Sequence, residues 1–204
     1  MGGFYARKGK RLLDLALVVL LAIPAAIAAL GIIPVLWWIH GSPRLVLFSQ
    51  TRVGHLGATF RILKFRTMRG TAEALRVTPF GRILRQTHLD ELPQLLNVIR
   101  GEMSVIGPRP EMVEIEAWAS RHVAGFRRRL EVLPGITGLA QVTQGYTAQD
   151  VEAYARKLAL DEEYLRGVSP ALDLSIAART VLWMSTGRGW RWDPPRGVPV
   201  AREI

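Results

Sequence analysis

The sequence contains no cysteine, only four histidines, and 17 acidic residues against 27 basic ones. The lack of cysteine excludes disulfides and thiolate metal sites, and the histidines do not have the spacing of metal ligands. The deficit of acidic residues leaves a formal net charge of +10, which favours polyanionic partners such as nucleic acid, anionic lipid or phosphorylated substrates. Charge alone does not distinguish these three partners.

Apolar residues, by contrast, are abundant and concentrated near the N-terminus. They make up 49% of the 204 residues, and in the run at 12–39 the one charged residue is Asp14. This run is long enough to enter a bilayer. The alternative interpretation is a cleaved signal peptide, but the run is too long for the apolar part of one. The sequence therefore predicts a membrane-inserted segment at 1–42, with a basic flank, continuous with a compact domain at 43–204.

The flanks of this run favour a re-entrant segment over a simple crossing. Basic residues both precede and follow it, so the positive-inside rule places both ends on the cytoplasmic side. Pro24, near the middle, removes a helical hydrogen bond and predicts a helix–break–helix turn. A kinked spanning helix is the alternative. The flanking basic residues are Arg7, Lys8, Lys10 and Arg11 before the run, and Arg44, Arg52, Arg61, Lys64 and Arg66 after it.

The remainder of the chain predicts an α-rich α+β fold. Segments at 46–53 and 58–68, on either side of a glycine-containing turn, indicate a small β-hairpin. Apolar spacing and helix-start signals predict helices at 78–85, 90–100, 111–130, 148–166 and 170–185. The glycine-containing segment at 134–138 is predicted to be a loop.

Two adjacent acids, Asp90 and Glu91, are the first candidate functional residues. Neighbouring side chains on a helix point about 100° apart, so the two carboxylates are expected to have separate roles. Glu91, with Asp90, is a candidate ligand for Mg²⁺, a hard ion that binds carboxylate and phosphate oxygens. The alternative is structural, because Thr87 and Asp90 match a helix-capping pattern.

Basic residues flank the acid pair and indicate phosphate binding. An isolated lysine or arginine is usually a solvated surface charge, but arginine is suited to bidentate phosphate contacts. Arg109 lies between Pro108 and Pro110, which restrict the backbone on both sides. Its side chain is therefore expected to project from a preorganised turn. The flanking residues are Lys64, Arg66, Arg82, Arg85 and Arg109.

Six motifs follow one another along nearly the whole chain. They are KRLLDL at 10–15, KFRTM at 64–68, TPFGR at 78–82, LDELPQL at 89–95, MSVIGPRP at 103–110 and PGITGLAQV at 134–142. A set of ordered motifs is far more specific than the acid pair alone. In sequence and in order, these motifs resemble those of the bacterial sugar transferases called monotopic phosphoglycosyl transferases.

This resemblance implies phosphoryl transfer from a nucleotide-diphosphate sugar such as a UDP-sugar to a polyprenyl phosphate, for instance undecaprenyl phosphate. Asp90 would be the nucleophile that forms a phosphosugar-aspartyl intermediate, and Glu91 would bind Mg²⁺. Lys64, Arg66, Arg85 and Arg109 would hold phosphates. The resemblance also implies a re-entrant anchor bent at Pro24 and a monotopic protein on the cytoplasmic face of the bacterial inner membrane, in contact with anionic lipids. It leaves a homodimer open.

Two other classes of protein remain as alternatives. A basic, membrane-anchored protein that binds nucleic acid would use the same positive charge. The sequence, however, has no nucleic-acid-binding motif, and nucleic-acid binding would not require the acid pair. A catalytically silent scaffold of a glycan-assembly complex would keep the fold and lose the chemistry. The presence of Asp90, Glu91 and Arg109 favours the enzyme.

Overall fold

The computed structural model of the protein describes residues 5, 9–71, 74–145, 147 and 149–185. Helices predominate in this part of the chain, and the strands form three separate two-stranded pairs. The helices are α1 (Lys10–His40), α2 (Pro79–Gln86), α3 (Gln94–Ile99), α4 (Val113–His122), α5 (Leu139–Gln144), α6 (Val151–Gly167) and α7 (Pro170–Ser185). The strands are β1 (Leu47–Val53), β2 (Thr59–Phe65), β3 (Met68–Arg69), β4 (Arg76–Val77), β5 (Ser104–Ile106) and β6 (Gly135–Thr137).

Helix α1 contains the apolar run, and it is long and apolar enough to cross a membrane. At 1.5 Å per residue its 31 residues would measure about 46 Å if straight. The helix continues through Pro24 and Pro34 and ends at Gly41, whose φ of 74° is the left-handed conformation that commonly follows a helix. The helix–break–helix turn predicted at Pro24 is therefore wrong. Pro24 lies inside one continuous helix, because a proline that removes one backbone hydrogen bond can be tolerated without ending the helix.

Both ends of α1 pack against the rest of the chain. Near its start, Val18 belongs to a hydrophobic cluster with Ile62, Val98 and Ile106. Near its end, Leu36 is fully buried in a second cluster, with Val46, Phe65 and Leu84. Between these contacts most of the apolar side chains are exposed, although Ile32 is buried. The most exposed are Val19, Leu20, Ile23, Ile27 and Leu30.

The polar side chains at the start of α1 are used to hold it in place. Arg11 donates hydrogen bonds to the backbone oxygens of Val98 and Ile99, at 2.5 and 2.8 Å. The buried Asp14 accepts from the Ser104 hydroxyl and the Val105 amide, at 2.8 and 2.9 Å. These contacts tie α1 to α3 and β5. Arg7 and Lys8, which belong to the predicted basic flank, lie outside the described residues.

The predicted β-hairpin is confirmed. Strands β1 and β2 pair antiparallel from Leu47 opposite Phe65 to Val53 opposite Thr59, around the turn at 54–58. The second strand ends earlier than predicted, at Phe65. Met68–Arg69 instead pairs with Arg76–Val77 in a separate short ladder.

Two of the helix predictions are wrong in extent. The helix predicted at 111–130 is interrupted: α4 ends at His122, Gly125 has a left-handed φ of 77°, and a 3₁₀ helix follows at Phe126–Glu131. The helix predicted at 90–100 begins only at Gln94, after a 3₁₀ turn at Leu89–Glu91. In both segments the apolar residues keep helical spacing along the sequence, although the backbone changes conformation within the segment.

The loop predicted at 134–138 is partly a strand. Gly135–Thr137 forms β6, which pairs in parallel with β5, and Leu139 then begins the short helix α5. A three-residue strand has too few residues for an alternation pattern, and its partner lies about thirty residues away in the sequence. Tertiary pairing therefore decides this element.

Candidate active site

Asp90 and Glu91 lie on the 3₁₀ turn that joins α2 to α3. His88, with φ of 56°, reverses the chain just before this turn. Both acids are buried, with 7% and 8% of their surfaces exposed. The Thr87 hydroxyl donates backwards to the Ile83 oxygen at 2.9 Å, so it does not cap the turn that carries the acids. The pair is therefore not explained by helix capping.

Glu91 is held by two cations. Its Oε1 atom accepts from Lys64 Nζ at 2.6 Å and from Arg109 Nη2 at 2.7 Å, and its Oε2 atom accepts from Arg109 Nη1 at 3.3 Å. Burial alone would raise the pKa of Glu91, but Arg109 and Lys64 outweigh burial and hold it well below its usual range. Glu91 is therefore ionised throughout the physiological range.

Asp90 has a different environment. Within the described part of the chain, its carboxylate forms no ion pair and accepts no side-chain hydrogen bond. Burial raises its pKa to about 6, the charge of Glu91 acts in the same direction, and Lys64, Arg85 and Arg109 oppose them. The carboxylate is thus desolvated and mostly ionised at neutral pH, which are properties of a nucleophile.

Lys64 is the penultimate residue of β2 and lies opposite Phe48, at the open end of the hairpin. Burial lowers the pKa of its ammonium group, and the negative charge of Glu91 partly compensates. Asn97 on α3 holds the strand β2, which carries Lys64. Its side chain accepts a hydrogen bond from the Leu63 amide at 3.1 Å and donates one to the Arg61 oxygen at 2.8 Å. Asn97 thus helps to position the site, and the sequence did not predict this role. The one indication in the sequence is that Asn97 follows the LDELPQL motif closely.

Arg109 projects from a turn that is locked to the segment at 134–138. The Gly107 amide donates to the Thr137 oxygen at 2.8 Å, and the Gly135 amide donates to the Pro108 oxygen at 2.9 Å. A Cβ atom on Gly138 would lie 2.1 Å from the Gly107 oxygen, so only glycine fits there. The PGITG motif therefore acts as a backbone clamp for the Arg109 turn.

Arg85 and Arg66 differ in their relation to the acid pair. Arg85 donates to the Thr67 hydroxyl at 2.7 Å, and its charge lowers the pKa of Asp90. Arg66 donates to the Leu45 oxygen at 3.0 Å and lies over the Phe48 ring. None of its contacts with described residues involves Asp90 or Glu91. The structure therefore brings Lys64, Arg85 and Arg109 to the acids and leaves Arg66 apart from them.

The residues present can accommodate Mg²⁺ with help from a substrate. No group of three or more potential metal ligands occurs among the described residues. Mg²⁺, however, is commonly bound by one or two carboxylates, with substrate phosphates and water completing its octahedron. Glu91 Oε2 accepts one long hydrogen bond and so keeps a lone pair, and the neighbouring Asp90 is close enough for the two carboxylate charges to interact.

Aromatic side chains lie beside the acid pair and at the end of α1. His88 packs against Trp183 of α7, with ring centroids 5.6 Å apart. Trp183 is half-buried, whereas Trp37 and Trp38 at the end of α1 are 52% and 85% exposed.

Comparison with known proteins identifies relatives of this chain. It is 42% identical to the UDP-glucose:undecaprenyl-phosphate glucose-1-phosphate transferase of Caulobacter vibrioides, over 84% of this chain and 68% of that protein. It is 39% identical to the UDP-N-acetylgalactosamine-undecaprenyl-phosphate N-acetylgalactosaminephosphotransferase of Aeromonas hydrophila, over 74% of this chain and 38% of that protein. It is 36% identical to the exopolysaccharide production protein ExoY of Rhizobium meliloti, over 71% of this chain and 72% of that protein.

These relatives differ in length and in the sugar that they are named for. The chain spans well under half of the Aeromonas protein, and its match to the Caulobacter protein covers about two thirds of that relative. Relatives named for glucose and for N-acetylgalactosamine match with similar identity, so overall similarity does not identify a sugar. The relatives favour neither a silent scaffold nor a nucleic-acid-binding protein. The model of the bacterial sugar transferase family matches residues 5–187, and the chain therefore belongs to that family.

Proposed function

We propose that this protein transfers a sugar-1-phosphate from a UDP-sugar to undecaprenyl phosphate, as the first membrane step of glycan assembly. The observation that carries the proposal is the unlike pair of acids. Asp90 is buried without an ion pair among the described residues, and Glu91 beside it is held by Lys64 and Arg109. The names of the Caulobacter and Aeromonas relatives supply the substrate classes.

In the first step, an Asp90 oxygen attacks the phosphorus next to the sugar. A new P–O bond forms to Asp90, and the P–O bond to the nucleoside monophosphate breaks, so that UMP leaves and a phosphosugar-aspartyl intermediate remains. Its pKa of about 6 supports Asp90 as the nucleophile, because the carboxylate is ionised at neutral pH yet poorly solvated.

In the second step, an oxygen of undecaprenyl phosphate attacks the same phosphorus. The P–O bond to Asp90 breaks, the lipid-linked sugar diphosphate is released, and the carboxylate is regenerated. Two successive displacements at one phosphorus predict ping-pong kinetics.

The basic residues supply positive charge for both steps. Lys64, Arg85 and Arg109 surround the acid pair and act electrostatically on Asp90. Such preorganised cations stabilise negative charge on a transferring phosphoryl group and offset its repulsion from the Asp90 carboxylate. Arg109 additionally offers the planar fork that suits phosphate oxygens. Arg66, which contacts the hairpin, would reach a phosphate only at the periphery of this group.

Glu91 and Asp90 would hold Mg²⁺ together with the substrate phosphates. When bound, the ion would neutralise charge on the diphosphate and polarise its oxygens. Calorimetric titration of Mg²⁺ in the presence of UDP should detect this site in the wild-type protein, and Glu91→Gln should weaken it. Equal Mg²⁺ binding by both proteins would argue against Glu91 as a ligand.

The packing of α1 supports a re-entrant, monotopic anchor on the cytoplasmic face. Its start contacts α3 and β5, its end contacts the hairpin and α2, and the exposed apolar side chains between these contacts include Val19, Ile23 and Leu30. A spanning helix would separate its ends by about 30 Å of hydrocarbon, whereas here both ends contact the same polar domain. The net charge of +10 suits an anionic leaflet.

The transfer reaction is tested with purified protein, Mg²⁺, undecaprenyl phosphate and a panel of UDP-sugars. We expect UMP release with at least one sugar, and a protein-bound phosphosugar that accumulates when the lipid is omitted. Asp90→Asn should lose both signals while retaining its fold. Full turnover by Asp90→Asn would overturn the covalent mechanism, and the absence of UMP release with every sugar would favour the silent scaffold.

A further inference from the structure

A buried network of charged residues lies behind the turn that carries Arg109. We propose that Arg129 is a positioning residue that fixes the backbone of this turn and thereby aims the Arg109 side chain at Glu91 and the substrate. This proposal rests on the proposed function for its catalytic consequence. Arg129 itself lies in the 3₁₀ helix Phe126–Glu131 and is 1% exposed.

The Arg129 guanidinium contacts three separate elements. Its Nε atom donates to Asp161 of α6 at 2.8 Å, and its Nη1 atom donates to Glu116 of α4 at 3.4 Å. Its Nη2 atom donates to the backbone oxygen of Arg109. A planar fork can satisfy three acceptors in fixed directions, which a lysine ammonium on a flexible stem cannot do with the same geometry.

The other end of the turn is held in a similar way. Lys157 of α6 forms a buried ion pair with Glu111, the residue that follows Pro110. The backbone oxygen of Glu111 accepts from the Val53 amide at 3.0 Å, and Arg52 Nη1 donates to the Pro110 oxygen at 3.3 Å. The segment at 109–111 is therefore tied to α6 through the Glu111 side chain and to β1 through the backbone oxygens of Pro110 and Glu111.

This network continues directly into the active site. Asp161 orients Arg129, Arg129 binds the Arg109 backbone, and the Arg109 side chain binds both oxygens of Glu91. Buried ion pairs contribute little net stability compared with apolar packing of the same volume, because each ion must lose its hydration. Their geometric precision is the property that apolar packing lacks, and a misplacement of about 1 Å can reduce catalysis about a hundredfold.

The test compares Arg129→Lys with Arg128→Lys in the full chain. Arg128 lies in the same 3₁₀ helix and has a side chain that is 67% exposed, so its substitution controls for the loss of one guanidinium. Initial rates of UMP release are measured against UDP-sugar concentration to separate KM from kcat. For Arg129→Lys we expect a kcat/KM reduced about ten- to a hundredfold, mainly through KM. Arg128→Lys should match wild type.

Backbone hydrogen exchange separates this inference from the proposed reaction. Arg129→Lys should accelerate exchange in the segment 107–112, and Arg128→Lys should not. Unchanged exchange would overturn the positioning role whether or not the protein releases UMP, and an unchanged KM would overturn it where UMP is released. If Arg129→Lys does not fold, Asp161→Asn decides instead, because it keeps a hydrogen-bond acceptor for Nε, removes the orienting charge, and should produce the same changes to a smaller extent.

Discussion

Two neighbouring carboxylates in this protein are given opposite properties by their surroundings. Asp90 and Glu91 are equally buried, but Lys64 and Arg109 both bind Glu91 and neither binds Asp90. The pKa of Glu91 is consequently held well below its usual range, and that of Asp90 is raised to about 6. Glu91 is therefore held in place by ion pairs, which suits a residue that supports the site. Asp90, which has no ion pair with the described residues, suits the role of a nucleophile.

The pKa of Asp90 predicts the pH dependence of turnover. Because the attacking form in the proposed mechanism is the carboxylate, kcat/KM should be constant above about pH 7 and fall as the pH drops through about 6. The measurement is the initial rate of UMP release from pH 5 to 8.5, with circular dichroism at each pH to confirm folding. A rate that stays constant down to pH 5 would be incompatible with an Asp90 pKa of about 6.

The same shift predicts that Asp90→Asn stabilises the protein. The folded-state pKa exceeds the unfolded one, so ionised Asp90 reduces stability above about pH 6, and this penalty disappears below about pH 4, where both states are protonated. Asp90→Asn should therefore raise the thermal midpoint at pH 8 more than at low pH, while turnover is lost. Glu152→Gln, on an exposed surface pair, is the control and should leave the midpoint unchanged. A lower midpoint for Asp90→Asn at pH 8 would contradict the burial argument.

At the scale of elements, the site depends on close backbone contacts between distant segments. Strands β5 and β6 are three residues each, yet their pairing aligns the Arg109 turn with the PGITG segment. Gly107, Gly135 and Gly138 make this approach possible, since a Cβ on any of them would lie within 2.5 Å of a backbone atom of the other segment. The motif glycines therefore have a steric role in placing Arg109.

Gly138→Ala tests this clamp. The added methyl would lie 2.1 Å from the Gly107 oxygen, so the β5–β6 pair must separate. We expect a loss of several kcal/mol of stability, in the range of severe overpacking, and a larger loss of UMP release. Gly31→Ala in α1 is the control, because its added Cβ would contact nothing within 4 Å and the substitution favours a helix. Equal thermal midpoints for the two variants would disprove the clamp.

At the scale of the whole molecule, the proposed membrane anchor α1 is connected to the site through β2. The two clusters that hold its ends share β2, which contributes Ile62 to the first and Phe65 to the second. Lys64 lies between these two residues and pairs with Glu91. Anchor and site are therefore built on the same strand, which would place the acids close to the depth at which a lipid phosphate is presented.

The re-entrant topology is tested by labelling single cysteines, for which the cysteine-free chain is suitable. Gly3→Cys precedes α1, and Leu56→Cys lies in the hairpin turn with 73% of its surface exposed. If both ends of α1 are cytoplasmic, a membrane-impermeant thiol reagent should label neither residue in intact spheroplasts and both after permeabilisation. Labelling of Gly3→Cys alone in intact spheroplasts would indicate a spanning helix.

The sequence by itself determined the long apolar segment, the β-hairpin and the family motifs. These features depend on composition, local periodicity or residues adjacent in the chain. The same motifs predicted Asp90, Glu91, Lys64, Arg85 and Arg109 as site residues. The grouping of these side chains around one acid pair, and the separation of Arg66 from it, required the fold.

Only the tertiary structure decided the features that depend on contacts between distant segments. The β5–β6 pairing, the break in the predicted 111–130 helix at Gly125 and the buried Arg129 network join residues from separate parts of the chain. The different protonation of Asp90 and Glu91 has the same origin. Burial and the direction of nearby cations set a carboxylate's pKa, and neither is a property of its sequence neighbours.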